Sequence, residues 1–178
     1  MAYFKKITGE NLYLSPVDKK DSEIFIKWMN NDEVALNFGQ YHQVVASENN
    51  LEWLFNPPQD IQRFSIVLNE MDMMIGCISI QNIDHLNRNA FIGIFIGEQV
   101  HRNKGYGGEA IKLMLNYGYN TLNLNNIMLS VNADNIAAIT FYMKVGFHEV
   151  GRRHEWVFKN GQYIDKIYMD ILAREFNN

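Results

Sequence analysis

Residues 101–108 read HRNKGYGG and lead through Glu109 into an apolar, helix-like run. Three glycines and two cations at such a junction suit one kind of chemistry. Glycine lets backbone N–H groups come close to a ligand, and the open donors and dipole of a helix start favour an anion. A plain strand-to-helix turn accounts for Gly105, but gives no reason for Arg102 and Lys104 to flank it. Two familiar phosphate loops fail on spacing: GxxxxGK(S/T) is absent, and no GxGxxG follows the first strand.

Other reactive side chains also suit blander roles. Tyr142, beside Phe141, sits at the spacing of an amphipathic core residue, and Asn135 suits a helix cap. The histidines His42, His85, His101, His148 and His154 lack metal-ligand spacing such as HxxxH, so no metal is expected. No GxSxG elbow or Ser-His-Asp ordering appears, and the lone Cys77 lies in the apolar run MMIGCISI, where it cannot form an internal disulfide. Asp32, Glu33, Glu48, Glu52 and Glu155 are candidates for recognising a cation, although each is also an ordinary surface charge.

The chemistry needs elements to hold it. NLYLSPVD reads as a short strand, and KDSEIFIKWMNNDEV as a helix with Ile24, Phe25, Trp28 and Met29 on one face. VVASENNLEWLFNPP predicts a second helix, capped by Ser47, faced by Leu51 and Leu54 and ended by Pro57 and Pro58. The period then becomes that of strands: RFSIVLN alternates Phe64, Ile66 and Leu68, and MMIGCISIQNI and NAFIGIFIG follow. FIGIFIG is apolar on both faces and belongs at the centre of a sheet. After the glycine loop, Ala110, Ile111, Met114, Leu115 and Gly118 form one helical stripe. NNIMLSVN is a strand, ADNIAAITFYMKVGF a helix capped near Asp134 or Asn135 and ended by Gly146, and Asn160-Gly161 joins a terminal hairpin. No repeat or composition break divides the 178 residues, so one α/β domain, 1–178, is expected.

The pattern Arg102-x-x-Gly105-x-Gly107 resembles the pyrophosphate loop of the GNAT superfamily of N-acetyltransferases. Asn132, Asn135, Ala138 and FYMKVGF, residues 141–147, continue the likeness, as do WMNNDEV and NGQYIDKIYM, and it covers almost the whole chain. It is nearest to the branch of spermidine, ribosomal-protein and aminoglycoside acetyltransferases, with bacterial spermidine N-acetyltransferases most alike. The resemblance implies a central mixed, largely antiparallel sheet flanked by helices, with acetyl-CoA as co-substrate and no metal. It assigns the backbone of Phe95 and Ile96 to the pantetheine arm. The pyrophosphate falls to Arg102, Asn103, Lys104, Gly105, Tyr106, Gly107 and Gly108, with Arg102 and Lys104 adding charge. Asn135 would bond the pantetheine chain.

Tyr142 is then the implied general acid, returning a proton to the coenzyme thiolate after direct acetyl transfer in a ternary complex. A phenol near 10 facing a thiol near 8.5 makes that step uphill by roughly 2 kcal/mol. The acceptor implied is a primary amine, a polyamine such as spermidine first. The alternatives are a ribosomal-protein N-terminus, an aminoglycoside, or a non-catalytic acyl-CoA sensor. A net charge of −4 gives no overall drive toward nucleic acid or anionic membrane, and no run approaches the roughly 20 apolar residues of a membrane span, so a cytoplasmic protein is expected. The aromatics of QYHQVV and EWVF suit either a homo-oligomer interface or an acceptor cleft.

Overall fold

The computed structural model describes residues 3–32, 34–35, 45 and 47–176. The chain forms two compact units, one of Met1–Asn82 with Gly93–Met114 and one of Ile83–Ile92 with Leu115–Asn178.

In the first unit, β1 (Ile7–Thr8), β2 (Leu12–Pro16), β3 (Gln62–Leu68) and β4 (Met73–Asp84) follow one another as antiparallel neighbours. Strand β5 (Asn89–Ile96) returns beside β4, and Gly97 N–H donates to the Ile75 carbonyl at 2.9 Å. The expected alternation of Phe64, Ile66 and Leu68 holds, yet Arg63, Ser65 and Val67 between them are buried too. Both faces of β3 are therefore covered, which period-2 patterning does not reveal. Helix α1 (Ser22–Met29) covers one of them, setting Phe25 and Trp28 edge-on to Phe95 with centroids 6.5 and 5.7 Å apart. Truncating either aromatic to alanine would cost roughly 3–5 kcal/mol.

The predicted helix from Ser47 is shorter and tighter than expected. Ser47 and Asn50 cap each other across a 3-10 turn, Glu48–Leu51, and only then does α2 (Glu52–Phe55) begin. Asn49 and Asn50 are weak helix formers, and Pro57 follows the end closely. The buried Arg63 guanidinium donates to the carbonyls of Trp53 (2.8 Å) and Leu54 (3.3 Å). A cation at a helix C-terminus meets the negative end of its dipole.

In the second unit, β5 starts beside β6 (Asn126–Asn132) in the parallel sense, Asn89 opposite Asn126 and Phe91 opposite Met128. Then come β8 (Gln162–Leu172), antiparallel to β6, and the edge strand β7 (His148–Lys159), antiparallel to β8. Asn160 and Gly161 at φ 52° and 79° form the expected tight turn between β7 and β8. Strand β7 is bulged between Glu149 and Gly151 and between Arg153 and Val157, with Glu155 at φ 50°.

Across the described residues the strand order is β1-β2-β3-β4-β5-β6-β8-β7, mixed and mostly antiparallel. Parallel neighbours need a crossover, and helix α3 (Tyr106–Asn120) supplies it between β5 and β6. Its predicted stripe is buried, with Ala110, Ile111, Met114 and Leu115 wholly out of solvent. Helix α4 spans Ile136–Val145, and a short α5 (Ala173–Phe176), not foreseen, closes the described chain. No helix among the described residues is long and apolar enough to cross a membrane.

Candidate active site

The first unit carries the glycine loop. After β5 the chain makes a 3-10 turn, Gln99–His101, and then passes through two left-handed positions, Asn103 at φ 59° and Gly105 at φ 87°. A side chain at Gly105 would be strained in that conformation even though open space surrounds it. Helical bonding begins with Glu109 N–H to the Gly105 carbonyl at 3.1 Å. The N–H groups of Tyr106, Gly107 and Gly108 thus precede the first helical bond, as in any anion-binding helix start. Asn103, Lys104 and Gly105 are exposed, while Tyr106, Gly107 and Gly108 are half-buried.

Arg102 faces back into the strand end. Its Nε donates to the Ile96 carbonyl at 3.1 Å and an Nη to that of Gly97 at 2.9 Å. This fixes the loop against β5 and engages one backbone group expected to meet the pantetheine arm. Strand alternation separates the two residues expected there: because Gly97 bonds β4, the backbone of Phe95 turns toward β4 and that of Ile96 away. Glu98 accepts from Trp28 Nε1 at 3.0 Å and Lys27 Nζ at 2.5 Å, and those bonds hold its carboxyl below the usual range.

The second unit carries α4. Asn135 caps it: its side chain accepts from Ala138 N–H at 3.1 Å while its carbonyl accepts from Ile139 at 3.1 Å. Tyr142 is half-buried, its ring 5.2 Å from Phe141 and 5.9 Å from the buried Phe147. Burial pushes its hydroxyl up to about 12. The phenol is thus held protonated across the neutral range, as an acid must be, but is weaker than a free tyrosine. On β8, burial draws the Lys166 ammonium below its usual range, and its Nζ donates to Asn132 Oδ1 at 3.2 Å.

Two of the five carboxylates considered for a cation have partners within the described residues. Glu52 pairs with Lys19 at 3.4 Å, Glu48 lies 3.5 Å from Ser22 Oγ, and Glu155 sits on the exposed bulge of β7. Asp32 is exposed. Glu33 and His42, with most of QYHQVV, lie outside the described residues. Among the described residues no cluster of three or more His, Cys, Asp or Glu could hold a metal. Cys77 is a buried core thiol pushed up to about 12 by burial. The residue that sequence reasoning passed over is Glu109, in the first turn of α3. The one available signal was a carboxylate placed where an anion is to bind.

The model of the acetyltransferase (GNAT) domain matches residues 11–148. An uncharacterized N-acetyltransferase of Bacillus licheniformis is 28% identical over 171 residues, 94% of this chain and 96% of that protein. A spermidine N(1)-acetyltransferase of Vibrio cholerae is 30% identical over 156 residues, 86% of this chain and 89% of that one. The crystal structure of spermidine N-acetyltransferase from Vibrio cholerae in complex with CoA and spermine superposes with a TM-score of 0.86 at 28% identity, covering 96% of this chain and all of that one.

Proposed function

The chain belongs to the GNAT family of acetyltransferases, and from that premise we propose that it moves an acetyl group from acetyl-CoA to a polyamine such as spermidine. Residues 1–178 act as one catalytic domain of a cytoplasmic enzyme. The observation that carries the donor is the helix start at Tyr106, entered through left-handed Asn103 and Gly105. The acceptor rests on likeness to a relative whose structure contains CoA and spermine.

Tyr106, Gly107 and Gly108 receive the pyrophosphate on their backbone N–H groups, and Lys104 adds charge from the exposed side of the turn. Arg102 serves chiefly by bracing the loop. Phe95 and Ile96 bring β5 to the pantetheine arm, Ile96 offering the backbone turned away from β4, and Asn135 bonds the arm further on. The amine attacks the thioester carbonyl directly. A protonated alkylamine must first lose a proton, at a cost on the order of 4 kcal/mol near neutral pH. The C–S bond then breaks and Tyr142 protonates the leaving thiolate. A phenol at about 12 against a free thiol near 8.5 makes that step uphill by about 5 kcal/mol. A thiolate in the same low-dielectric surroundings is raised as well, which narrows the difference.

A second reading, a ribosomal-protein N-terminus, draws on the engagement of Glu52 by Lys19, which leaves less free negative charge for a polycation such as spermidine or an aminoglycoside. The test is a panel of spermidine, spermine, N-terminal peptides and aminoglycosides, with release of the coenzyme thiol as readout. Spermidine is expected to give the highest kcat/KM. Turnover of peptides alone would move the acceptor to the second reading, and no turnover on any amine would leave only the acyl-CoA sensor.

A further inference from the structure

We propose that Glu109 is a positioning residue for the coenzyme, a clamp that sets the N-terminus of α3 against the β1–β2 turn; the inference rests on the acetyl-CoA reading above. A carboxylate in the first turn of a helix that must receive a pyrophosphate is an electrostatic contradiction. The geometry resolves it. Glu109 Oε1 accepts from the backbone N–H of Asn11 at 2.9 Å and of Leu12 at 3.4 Å, and Oε2 accepts from Asn11 Nδ2 at 3.0 Å. The negative charge is consumed by donors of one turn.

That turn is anchored in its own right. Gly9 N–H donates to the Leu12 carbonyl at 2.8 Å, and Asn69, just past β3, donates from its backbone to Asn11 (2.9 Å) and from its side chain to Glu10 (2.9 Å). A connected path therefore runs from the end of β3 through Asn69 and the turn to Glu109. It ends at the helix start that presents the N–H groups of Tyr106, Gly107 and Gly108. Gly9 records the closeness of the contact, since a Cβ there would lie 2.4 Å from Glu109 Oε1 and 2.9 Å from Leu113 Cδ1. Donors held rigidly before binding lose less on ordering when the ligand arrives, and bonds to a charged acceptor are among the stronger ones in proteins. Glu109 acts on the coenzyme through the first turn of α3, without touching it.

The test measures KM for acetyl-CoA, kcat, coenzyme A affinity by calorimetry and Tm for the full chain and its variants. Glu109→Ala is expected to raise KM for acetyl-CoA about tenfold while kcat at saturation stays within about twofold. Glu109→Gln, which keeps an acceptor for the turn and can pair with a flipped Asn11 amide, restores most of the affinity. Asn11→Ala produces a smaller loss in the same direction, and adding it to Glu109→Ala loses nothing more, the signature of one shared interaction. Gly9→Ala, which pushes the carboxylate aside without removing it, gives the same KM-selective loss and serves in place of Glu109→Ala should that variant not fold. A lowered Tm with unchanged KM, or additive losses from Glu109 and Asn11, overturns the clamp. Failure of the unaltered chain to bind coenzyme A is a different result: it removes the acetyl-CoA reading itself and the clamp with it.

Discussion

In the reaction proposed above, the loop from Arg102 to Gly108 and the helix bearing Tyr142 work with different parts of the chain. The loop offers backbone N–H groups, presented by left-handed turns and a helix start and braced by the Arg102 side chain. Helix α4 offers one side chain, whose value depends on the protonation that burial gives it. A backbone site tolerates exchange of side chains and fails when one is added. A side-chain site fails when a single oxygen is removed, with its surroundings intact.

The contrast is broken most severely at Tyr142. Tyr142→Phe should lower kcat by about a hundredfold or more, the usual contribution of a general acid, and leave coenzyme A affinity within about twofold in calorimetry. An equal loss of affinity would make the residue a binding group like the loop. The complementary change, Gly107→Val, should weaken coenzyme A by roughly thirtyfold, equivalent to about 2 kcal/mol, with kcat at saturation little altered. Steady-state kinetics on both variants shows whether the two losses separate as described.

Burial of Tyr142 also links stability to alkaline pH. The unfolded chain loses this proton near 10 and the folded chain near 12, so the folded state holds more protons in between and stability falls as pH rises through that window. Between pH 9 and pH 11 the contribution is about 1.4 kcal/mol. Urea midpoints of the unaltered chain and Tyr142→Phe should therefore diverge over that range, since Tyr3, Tyr13 and Tyr119, also raised by burial, are common to both. Asn135 separates its two roles: Asn135→Ala should cost about 1 kcal/mol as a lost cap, Asn135→Ser, an uncharged good cap, should keep most of that stability, and a loss of coenzyme A affinity in the serine variant reports the pantetheine contact without added charge. The smallest effect is expected at Lys104, where Lys104→Gln should weaken coenzyme A about threefold at low salt and less at high salt, as for any exposed charge.

What the sequence disclosed follows the same division. Left-handed turns and helix starts are written locally, in Asn103, Gly105 and the glycines after them, so the loop was legible from spacing and the strands from alternation. Tyr142 was not legible in that sense: helical spacing makes it a core residue, and only resemblance gave it a role. Glu109 was missed because its partners, Asn11 and Leu12, lie nearly a hundred residues away. The bracing of Ile96 and Gly97 by Arg102 was missed for another reason: a cation beside glycines reads as a ligand group when the carbonyls it serves are still unplaced. The single helix expected from Ser47 divided because apolar spacing alone does not register how weakly Asn49 and Asn50 hold an α-helical turn.

The two bulges of β7 bear on how the protein keeps company with itself at high concentration. An outermost strand of twelve residues carrying exposed Trp156 and Phe158 would, if straight, present a continuous row of unpaired donors and acceptors for a passing chain to copy. With Glu155 wound the wrong way for a strand, that row is cut into two short pieces. The margin of the sheet is thereby a poor template for aggregation.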